Sequence, residues 1–560
     1  MKKNHIFAWC MAAVLAAPLA GCGQDAPSSQ PESSGSTASS GTSSQETSSG
    51  TESDSVTFPL AETVTFDIMV ATPARSFEDY LDKVEFWTKL KEESNVDVNW
   101  VYLSADDPMS TLNAMFSAGT EGDAVMGGAL ITESNLSLLA SNDLLTPLNE
   151  YIDDEAIMPN FNSRVLSESP NTKGFITCPD GMIYSLPKYT ALDGNYLESP
   201  LWINKAWLDK AGLGIPKTLE ELEAALIAFK EQDMNGNGKI DDEIPYLFLN
   251  GHSFSHMEAL LGLWGIATKD STLDSYVYVK DGKVNFAPSS DAYKDAIKAI
   301  SRWYQNGLVW SEAFTGTTET YGAKLTGDVC LVGALTAKTP PTTNREDYVL
   351  LEPVAVEGYE PCWYRHPGRL GGKGMFSLTR SVENAGVLMH WIDLFYDLDH
   401  TVEAGYGEVD DGRVTITDGK YEFLTLDKAT KEQLDEEKPT FVSFFLNLAA
   451  AYTADDYANR IVLSADQKIY QANYEVYKDY MTNEYWPRPY FAEEDTTRIN
   501  ELRTDIFNTV AEKKAAWVTG NSDIDADWDS YLKSLNSMGL EEFVQILQKT
   551  YDNFLAGTEN

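Results

Sequence analysis

From Val56 to the C-terminus, short apolar runs alternate with stretches in which apolar residues recur every three or four positions. Short apolar runs bounded by polar residues are typical of buried strands, whereas the longer period is typical of helices with one apolar face. The alternation therefore predicts a mixed α/β architecture rather than an all-α or all-β one. No internal repeat is visible along the sequence.

Individual elements follow from local patterns. Residues 64–70 (VTFDIMV) predict a buried first strand, and further strands are predicted at residues 96–103, 124–126, 329–332 and 348–351. Helices are predicted at residues 76–93, 218–232, 523–535 and 540–554. The second of these helices has a clear start signal, because Pro216, a capping Thr218 and the acidic residue Glu220 precede or open it.

The first residues carry a different pattern, in which Lys2 and Lys3 precede an apolar stretch that ends in LAGC at residues 19–22. This segment is too short and too weakly flanked for a transmembrane helix. It resembles the signal of bacterial lipoproteins, which is cleaved before the cysteine. The resemblance implies removal of residues 1–21 and a diacylglycerol on the Cys22 thiol, which holds the protein at a membrane surface. The alternative is a soluble secreted protein with a cysteine near its cleavage point by chance.

Residues 22–56 comprise Cys22 and a segment made almost entirely of Ser, Thr, Gly, Pro, Gln and acidic residues. So little apolar surface cannot offset the chain entropy that is lost on folding, so this segment is predicted to be a flexible tether. A flexible chain of this length has a root-mean-square span of about 30 Å. The folded body is expected to begin at residue 57.

Composition limits the partners and the domain organisation. The chain has 86 acidic and 42 basic side chains, a formal net charge of −44, which argues against nucleic acid and against nonspecific binding to anionic lipid. Roughly 500 residues remain after the tether, too many for one comfortable core and a natural size for two lobes. Outside the leader and the lipid site only Cys178, Cys330 and Cys362 occur, so at most one disulfide is possible. Stability is expected from core burial and metal binding.

A series of short motifs occurs in order between about Val64 and Phe554. They are residues 144–149 (LLTPLN), 180–187 (DGMIYSLP), 201–213 (LWINKAWLDKAGL), 303–308 (WYQNGL), 406–407 (YG) and 525–531 (DADWDSY). On these motifs the chain resembles the family 1 extracellular solute-binding proteins, the receptor subunits of ABC importers, and in particular their oligosaccharide-binding members, which include the alginate-binding proteins.

The resemblance implies the type II fold of periplasmic binding proteins, in which hinge segments join two α/β lobes and the ligand is enclosed in the cleft between them. Lobe 1 is expected at residues 57–188 and 366–480. Lobe 2 is expected at residues 189–365 and 481–560, of which the last part is mostly helical. The chain would then pass between the lobes three times.

Residues 233–243 (DMNGNGKIDDE) have the spacing of a calcium-binding loop. The oxygen-bearing side chains at loop positions 1, 3, 5 and 9 are those of Asp233, Asn235, Asn237 and Asp241. Gly238 allows the sharp turn at position 6, and Lys239 supplies a backbone carbonyl at position 7. Six or seven oxygens at about 2.4 Å suit Ca²⁺. The alternative is a metal-free turn held by hydrogen bonds of the Asn and Asp side chains.

This loop lacks the glutamate that closes a full EF-hand, because position 12 is Ile244. It resembles the loop of the alginate-binding relatives, in which the acidic residue right after position 9 completes the site. That resemblance assigns the last ligand to Asp242, with Glu243 as the substitute. A loop whose coordination positions are all filled has no place for an activated water, so the expected role of calcium is structural.

Sugar rings present apolar C–H faces and polar rims, so a receptor for them needs aromatic platforms beside hydrogen-bonding side chains. In the fold that the resemblance implies, cleft residues lie at loops after strands and at the crossings between lobes. The expected ligand-binding residues near the second and third crossings are Trp363, Tyr364, Arg365, His366, Trp486 and Arg488. Further candidates are Arg75 after the first strand, and Tyr189, Tyr196 and Trp264 near the first crossing. Three tryptophans in helical patterns are assigned to the core, namely Trp207, Trp391 and Trp528.

Two of these residues bear on the charge of the ligand. Arg365 and Arg488 can pair with the carboxylate of an anionic glycan, or they can brace the hinge through Asp and Glu side chains, and the second interpretation is favoured. Because the net charge is −44 and the sequence shows no basic cluster in the body, a neutral oligosaccharide is the favoured ligand.

Two alternatives from other classes are a cell-surface glycan hydrolase and a peptide or adhesin-type surface receptor. Enzyme motifs are incomplete: residues 251–255 (GHSFS) lack the final glycine of a nucleophile elbow, residues 333–339 (GALTAKT) lack the glycine before the lysine of a phosphate loop, and no HExxH occurs. The acidic run at residues 493–495 is predicted to begin a helix rather than to mark a glycosidase site. The sequence therefore favours a binding protein without catalytic residues.

Together these features predict a monomeric, lipid-anchored receptor at the extracellular face of the cell membrane. It is expected to capture an oligosaccharide by hinged closure of its two lobes and to present it to the permease of an ABC importer. Since the sequence shows no second membrane segment and no ATP site, the permease and the ATPase are expected to be separate chains.

Overall fold

The computed structural model describes residues 56–71, 83–103, 107–127, 131–269, 276–366, 370–441 and 448–558. By the density of its internal contacts the chain divides into the units Met1–Asp54 and Ser55–Asn560, and the described residues all belong to the second unit. The predicted leader, the lipid site at Cys22, the tether up to residue 55 and Arg75 lie outside the described residues. Within the described part of the chain, no helix combines the length and the apolar character that a membrane crossing needs.

Strands and helices alternate along the described chain. The strands are β1 (Val64–Ala71), β2 (Val96–Leu103), β3 (Ala124–Met126), β4 (Leu186–Thr190), β5 (Leu201–Asn204), β6 (Ile244–Leu247), β7 (Val277–Lys280), β8 (Lys283–Phe286), β9 (Val332–Thr336), β10 (Tyr348–Leu351), β11 (Leu370–Leu378), β12 (Val414–Thr417), β13 (Lys420–Phe423), β14 (Ala450–Tyr452) and β15 (Ile461–Val462). The helices are α1 (Glu85–Ser94), α2 (Pro108–Ala118), α3 (Glu133–Ser141), α4 (Asn149–Ile152), α5 (Thr172–Ile176), α6 (Lys205–Ala211), α7 (Leu219–Glu231), α8 (Asp291–Gln305), α9 (Thr318–Leu325), α10 (Ala385–Asp393), α11 (Leu398–Tyr406), α12 (Lys428–Glu437), α13 (Ala465–Tyr477), α14 (Glu493–Val518), α15 (Ile524–Ser537) and α16 (Leu540–Thr558).

The first sheet has six strands in the order β14-β4-β11-β3-β1-β2. Strand β1 is parallel to β2 and β3, β11 is antiparallel to β3 and β4, and β14 is parallel to β4. The carboxyl ends of β1, β3, β4 and β14 therefore lie at one edge, together with the amino end of β11.

The second sheet has the order β10-β5-β9-β6. Strand β6 is parallel to β9, whereas β5 is antiparallel to both β9 and β10. One edge of this sheet therefore holds the carboxyl ends of β6, β9 and β10 and the amino end of β5. Smaller sheets are formed by β12, β13 and β15 and by the hairpin of β7 and β8.

Each large sheet has its own hydrophobic core. One core includes Phe66, Phe376 and Trp391, and the other includes Trp303 and the C-terminal helix residue Trp528. The chain passes between the two cores after Ala191 and before Leu197, and again between Trp363 and Leu370; it returns to the second core between Ile461, which packs in a small cluster with Val414, and Tyr477. The two-lobed α/β fold is thereby confirmed, and we call these three segments the first, second and third crossings. The lobe boundaries given above stay predictions.

Most of the predicted elements are present. The predictions for β1, β2, β3 and β10 agree with the structure to within one residue, and those at residues 218–232, 523–535 and 540–554 correspond to α7, α15 and α16. Helix α7 begins as expected, because the Thr218 side chain accepts the N–H of Glu221 at 3.3 Å. Helix α14 begins at Glu493, as the acidic run predicted. Of the helix predicted at residues 76–93, the described part is α1.

The strand predicted at residues 329–332 was misplaced, because β9 begins only at Val332 and continues through Gly333. A glycine in an apolar run usually signals a break or a close backbone approach. Here it is the second: a Cβ on Gly333 would lie 2.4 Å from Cδ2 of Phe229 on α7. The missing side chain lets helix and strand pack closely, so the strand extends past the position at which the sequence pattern ended it.

The tryptophans that were assigned to the core are indeed buried. Trp207, Trp391 and Trp528 are 3%, 0% and 5% exposed. Trp391 packs in the first lobe, and the other two pack in the second. Helical periodicity was a sufficient guide for these three residues.

Candidate functional site

The first crossing leads from the carboxyl end of β4 to the amino end of β5, and the second leads to the amino end of β11, so both lie at the edges that hold the carboxyl ends of the parallel strands. In open α/β sheets, ligands bind in the crevice outside those ends. At the edge of the second sheet, Glu198 lies just before β5, Lys338 lies just after β9, and residues 248–256 follow β6. This edge and the adjoining crossings form the candidate ligand site.

Glu198 carries a buried negative charge at this edge, since only 9% of the residue is exposed. Its carboxylate lies 2.8 Å from Nζ of Lys269 and 3.8 Å from Nε2 of His366. Burial alone would raise the pKa of Glu198, but His366 and Lys269 outweigh that effect and hold the pKa below its usual value. The carboxylate is therefore ionised and held in a fixed position beside the second crossing.

Arg365, in the second crossing, contacts two other parts of the hinge. Its guanidinium lies 4.6 Å from the ring centre of Tyr196 in the first crossing and 5.5 Å from that of Tyr485 after the third. Its Nη1 also donates to Oδ1 of Asn483 at 2.8 Å. The structure therefore brings together two residues that the sequence predicted separately, Tyr196 and Arg365, and adds two that it missed.

A cavity of about 320 Å³ opens beside Arg365. It is lined by residues of both lobes and of the crossings: Glu168, Ser169, Pro170, Asn171, Thr172, Phe175, Tyr196, Arg365, Leu370 and Tyr485. A cavity of about 420 Å³ lies within lobe 1 and is lined by residues that include Lys188, Tyr406 and Arg413. Only the first of these two cavities has walls from both lobes, as a site that responds to closure requires.

Lys338 is a basic residue of the site that the sequence did not reveal. Its Nζ lies 4.6 Å from the ring centre of Tyr470 on α13 and 5.8 Å from that of Phe254, which is 39% exposed. With Lys269 and Arg365, it gives this edge a local excess of basic groups in an acidic chain. These residues are far apart in sequence, so no local pattern could have shown the cluster.

Several predicted aromatic platforms are buried. Trp363, Trp264, Trp486 and Tyr189 are 1%, 4%, 4% and 0% exposed. The Trp363 indole packs over Gly262, where a Cβ would lie 2.7 Å from the ring, and its Nε1 donates to the carbonyl of Ser199. A stacking platform needs an open ring face. In this conformation these four residues are packing residues, because each fills a hydrophobic core.

The remaining predicted residues at the crossings are partly exposed. Tyr364 lines a small void with Glu198 and His256. His366 faces Glu198, and its backbone N–H donates to the carbonyl of Tyr196 at 2.9 Å. The carbonyl of Arg488 accepts a hydrogen bond from Lys373 on β11 at 2.6 Å. The ligand-binding roles of these residues stay predictions.

In the loop at residues 233–243, the side chains of Asp233, Asn237 and Asp242 form hydrogen bonds within the loop, whereas Asp241 is exposed. The Asp233 carboxylate accepts the N–H groups of Gly236 at 2.7 Å and Gly238 at 2.9 Å. Both glycines have positive φ, 78° and 87°, which only glycine adopts without strain. The Asn237 amide donates to the carboxylate of Asp242 at 2.6 Å. These are the side-chain hydrogen bonds of an ordered turn, and they gather oxygens in one place.

Glu243 adds an observation that the sequence did not give. Its Oε1 accepts the N–H of Met234 at 2.7 Å, whereas its Oε2 is buried with no hydrogen-bond partner. A buried carboxylate oxygen without a partner is unfavourable unless a cation or water completes it. The set of carboxylate, amide and carbonyl oxygens therefore fits a hard cation such as Ca²⁺.

The three cysteines of the body are free thiols, with Cys178 and Cys330 buried and Cys362 partly buried. Burial raises the pKa of Cys178 to about 12 and also raises that of Cys330 and Cys362. These thiols stay protonated at neutral pH, so they are poor nucleophiles.

Known proteins resemble the chain over most of its length. The sequence profile of the bacterial extracellular solute-binding proteins matches residues 71–334. FusA of Streptococcus pneumoniae, a fructooligosaccharide ABC transporter substrate-binding protein, is 30% identical over 520 residues, which cover 90% of this chain and 93% of FusA. The chain belongs to the bacterial extracellular solute-binding proteins. This membership confirms the predicted family and the expectation of a binding protein rather than an enzyme.

Solved structures of solute-binding proteins share the fold. The EF-hand mutant of S. pneumoniae FusA in complex with fructo-nystose has a TM-score of 0.71 and 27% identity, covering 88% of this chain and all of that one. An HMO-binding, ABC-transporter-associated solute-binding protein from Bifidobacterium longum infantis has a TM-score of 0.74 and 25% identity, covering 88% and 99%. The alginate-binding protein AlgQ2 without calcium shares the fold, with a TM-score of 0.63 and 20% identity. The similarity covers 88% of this chain and 99% of AlgQ2.

Proposed function

We propose that this solute-binding protein captures an oligosaccharide at the crossings between its lobes and delivers it to the permease of an ABC importer. The observation that carries the proposal is the convergence of three separate segments at the edge where the crossings meet: they contribute Glu198, Lys269 and the adjacent pair Arg365 and His366. Charged and aromatic side chains at such an edge suit a ligand that is rich in hydroxyl groups and has apolar ring faces. The sequence similarity to FusA, a fructooligosaccharide-binding protein, supports this ligand class.

Capture works by closure of the two lobes. A ligand that contacts both lobes only in the closed state shifts the population toward that state, and closure gives the permease a distinct surface to recognise. Arg365 supports this motion, because it holds the first crossing to the segment that follows the third. It therefore braces the hinge through tyrosine rings while the lobes move.

A neutral sugar is the favoured ligand. Glu198 already has Lys269 as a partner at 2.8 Å, and Arg365 is engaged with aromatic rings and an amide. Hydroxyl groups can accept and donate hydrogen bonds at such side chains without adding a charge to the site. The Streptococcus pneumoniae relative named for fructooligosaccharides agrees with this preference.

The receptor is proposed to be a monomer that is held at the outer face of the membrane by a lipid on Cys22. The support is the signal-like sequence that ends in LAGC and the tether of residues 22–56. The permease and the ATPase are proposed to be separate chains, as expected for the receptor subunit of an importer.

The loop at residues 233–243 is proposed to hold a structural Ca²⁺. The ligands would be the side chains of Asp233, Asn235, Asn237 and Asp241, the carbonyl of Lys239, and a carboxylate from Asp242 or Glu243. Glu243 is favoured for the last place by its unpartnered Oε2. The bound ion would cross-link the end of α7 and the start of β6, which lie on either side of the loop in the sequence.

A thermal-shift screen tests the proposed function. The purified protein is heated with neutral and acidic oligosaccharides of known length, and the same mixtures are assayed for released reducing sugar. A neutral oligosaccharide should raise the melting temperature in a saturable way without cleavage, because a ligand that binds only the folded state stabilises it. Release of reducing sugar would favour the hydrolase instead, and stabilisation by peptides alone would favour a peptide receptor.

A further inference from the structure

Lys338 is a cation that the fold leaves incompletely paired. Its Nζ donates to Oδ1 of Asn195 at 3.3 Å, and among the described residues no carboxylate lies within 4.0 Å of it. Burial lowers the pKa of Lys338, and Glu198 opposes that shift. An ammonium group has three N–H donors, and each donor that is buried without an acceptor is unfavourable. The ammonium therefore has donors to offer to an acceptor from outside the chain.

Two aromatic rings flank this ammonium. The ring of Tyr470 is 4.6 Å and that of Phe254 is 5.8 Å from Nζ of Lys338, measured to the ring centres. Phe254 is 39% exposed, although it is a large apolar side chain at the edge where the crossings meet. A single exposed phenylalanine is ordinary on a protein surface. Here, however, it lies beside a cation whose one hydrogen bond, to Asn195, leaves further N–H donors to offer.

The loop that carries Phe254 is held in place by His252. The Nδ1 atom of His252 accepts the backbone N–H groups of Phe254 at 3.2 Å and Ser255 at 3.1 Å. The His252 ring in turn packs against Tyr321, with ring centres 4.6 Å apart. The phenylalanine is therefore presented by an ordered loop, which lowers the entropy that is lost when a ligand binds.

The other side of the ammonium is fixed by close packing of the first crossing on α13. A Cβ on Gly194 would lie 2.6 Å from the carbonyl carbon of Tyr470, and the Gly194 N–H donates to Oε1 of Gln471 at 3.0 Å. This contact fixes the segments that carry Asn195 and Tyr470, both of which contact Nζ of Lys338. Three separate segments thus define one position for the lysine side chain.

We propose that Phe254, Lys338 and Tyr470 form a subsite for one sugar ring of the bound oligosaccharide. The proposal rests on the proposed function and adds residues to it that the sequence did not suggest. The exposed face of Phe254 stacks on the apolar C–H face of the ring. Lys338 donates hydrogen bonds to two oxygens at the ring's rim, which satisfies the ammonium. These oxygens belong either to neighbouring hydroxyl groups of a neutral sugar or to the carboxylate of an acidic one.

Calorimetric titration of single variants tests this subsite. The substitutions are Phe254→Ala and Lys338→Met, the second of which keeps the apolar stem and removes the ammonium. Each should weaken binding of the oligosaccharide by about tenfold or more, because a stacking face or charge-assisted hydrogen bonds are lost. Matched controls are Ile215→Ala, at an apolar side chain that is 46% exposed, and Lys428→Met, at a side chain that is 90% exposed on α12. Neither control should change the affinity.

The titrations use two ligands, the fructooligosaccharide nystose and a uronic acid oligosaccharide of similar length. If Lys338→Met loses nystose binding, the acceptors of the ammonium are hydroxyl oxygens of the sugar. If the variant loses only uronate binding, the acceptor is the carboxylate. Wild-type affinity in both variants, with unchanged melting temperatures without ligand, overturns the subsite and leaves the receptor function standing. If the wild-type protein binds no oligosaccharide in the screen, both proposals fall.

Discussion

The contacts of Arg365 change the interpretation of its role. From sequence, it was assigned either to a ligand carboxylate or to acidic partners in the hinge. Its guanidinium instead lies over Tyr196 and Tyr485 and donates to Asn483, and no carboxylate of the described residues pairs with it. Guanidinium groups stack on aromatic faces while they keep their hydrogen bonds, so Arg365 can brace moving segments without a fixed ion pair.

His400 is a second residue whose neighbours decide its chemistry. Its Nε2 lies 2.9 Å from the carboxylate of Glu93, and this contact connects α11 with α1. Its Nδ1 lies 3.1 Å from the carboxylate of Asp397. Burial alone would lower the pKa of His400, but Asp397 and Glu93 outweigh it and raise the pKa above 6.5. The folded state therefore binds this proton more tightly than the unfolded chain, so protonation stabilises the fold.

This stabilisation has a defined pH window. It is fully present below the unfolded-state pKa of 6.5 and is lost as the pH rises through the higher folded-state pKa. His400→Gln should therefore lower the melting temperature most at about pH 6 and least at about pH 9. The measurement is the difference in melting temperature between wild type and variant across that range. A difference that is constant with pH would contradict the assigned ion pairs.

At the scale of the element, the loop at residues 233–243 and the ligand site lie at opposite ends of β6. The loop precedes Ile244 at the amino end, whereas Phe254 and its loop follow the carboxyl end. The loop contacts its own lobe: Nζ of Lys210 on α6 donates to the carbonyl of Asp233 at 2.6 Å, and Met234 packs in the hydrophobic core of that lobe. A metal there would fix the connection of α7 to β6 and leave the sugar contacts unchanged.

Chelator treatment tests this separation. Removing calcium should lower the melting temperature of the wild-type protein, since the ion binds only the folded loop. Asp233→Ala should abolish that response to calcium, whereas Asp529→Ala, at an exposed residue of α15, should retain it. Oligosaccharide affinity measured well below the melting temperature should stay within about twofold throughout. A melting temperature that is insensitive to chelator would exclude the metal site.

The elements that the sequence predicted are those with local signals. The start of α7 was predictable because a cap acts within one turn, and Thr218 makes the expected bond to Glu221. The extent of β9 was not predictable, because the need for glycine at position 333 comes from the close approach of Phe229 on α7, which lies far away in the sequence. Residue type alone also did not show burial: Trp363 matches a sugar platform in its chemistry, and in this structure the residue is 1% exposed.

At the scale of the whole molecule, two sheets with separate cores are joined by three crossings, and the candidate site lies where these crossings meet. Motif order was enough to predict this fold and the family. The Lys338 subsite was not predictable, because Asn195, Phe254, Lys338 and Tyr470 come together only through the crossing geometry. A site that is assembled from distant segments leaves no spacing pattern in a single sequence.

The claim that this molecule binds an oligosaccharide without altering it is tested most directly by calorimetric titration with nystose, followed by mass analysis of the recovered sugar. The account predicts saturable binding at one site per protein, abolished by unfolding, with the sugar recovered intact. Recovery of shortened sugar after binding, or no binding of nystose or of any other oligosaccharide in the screen, would contradict it.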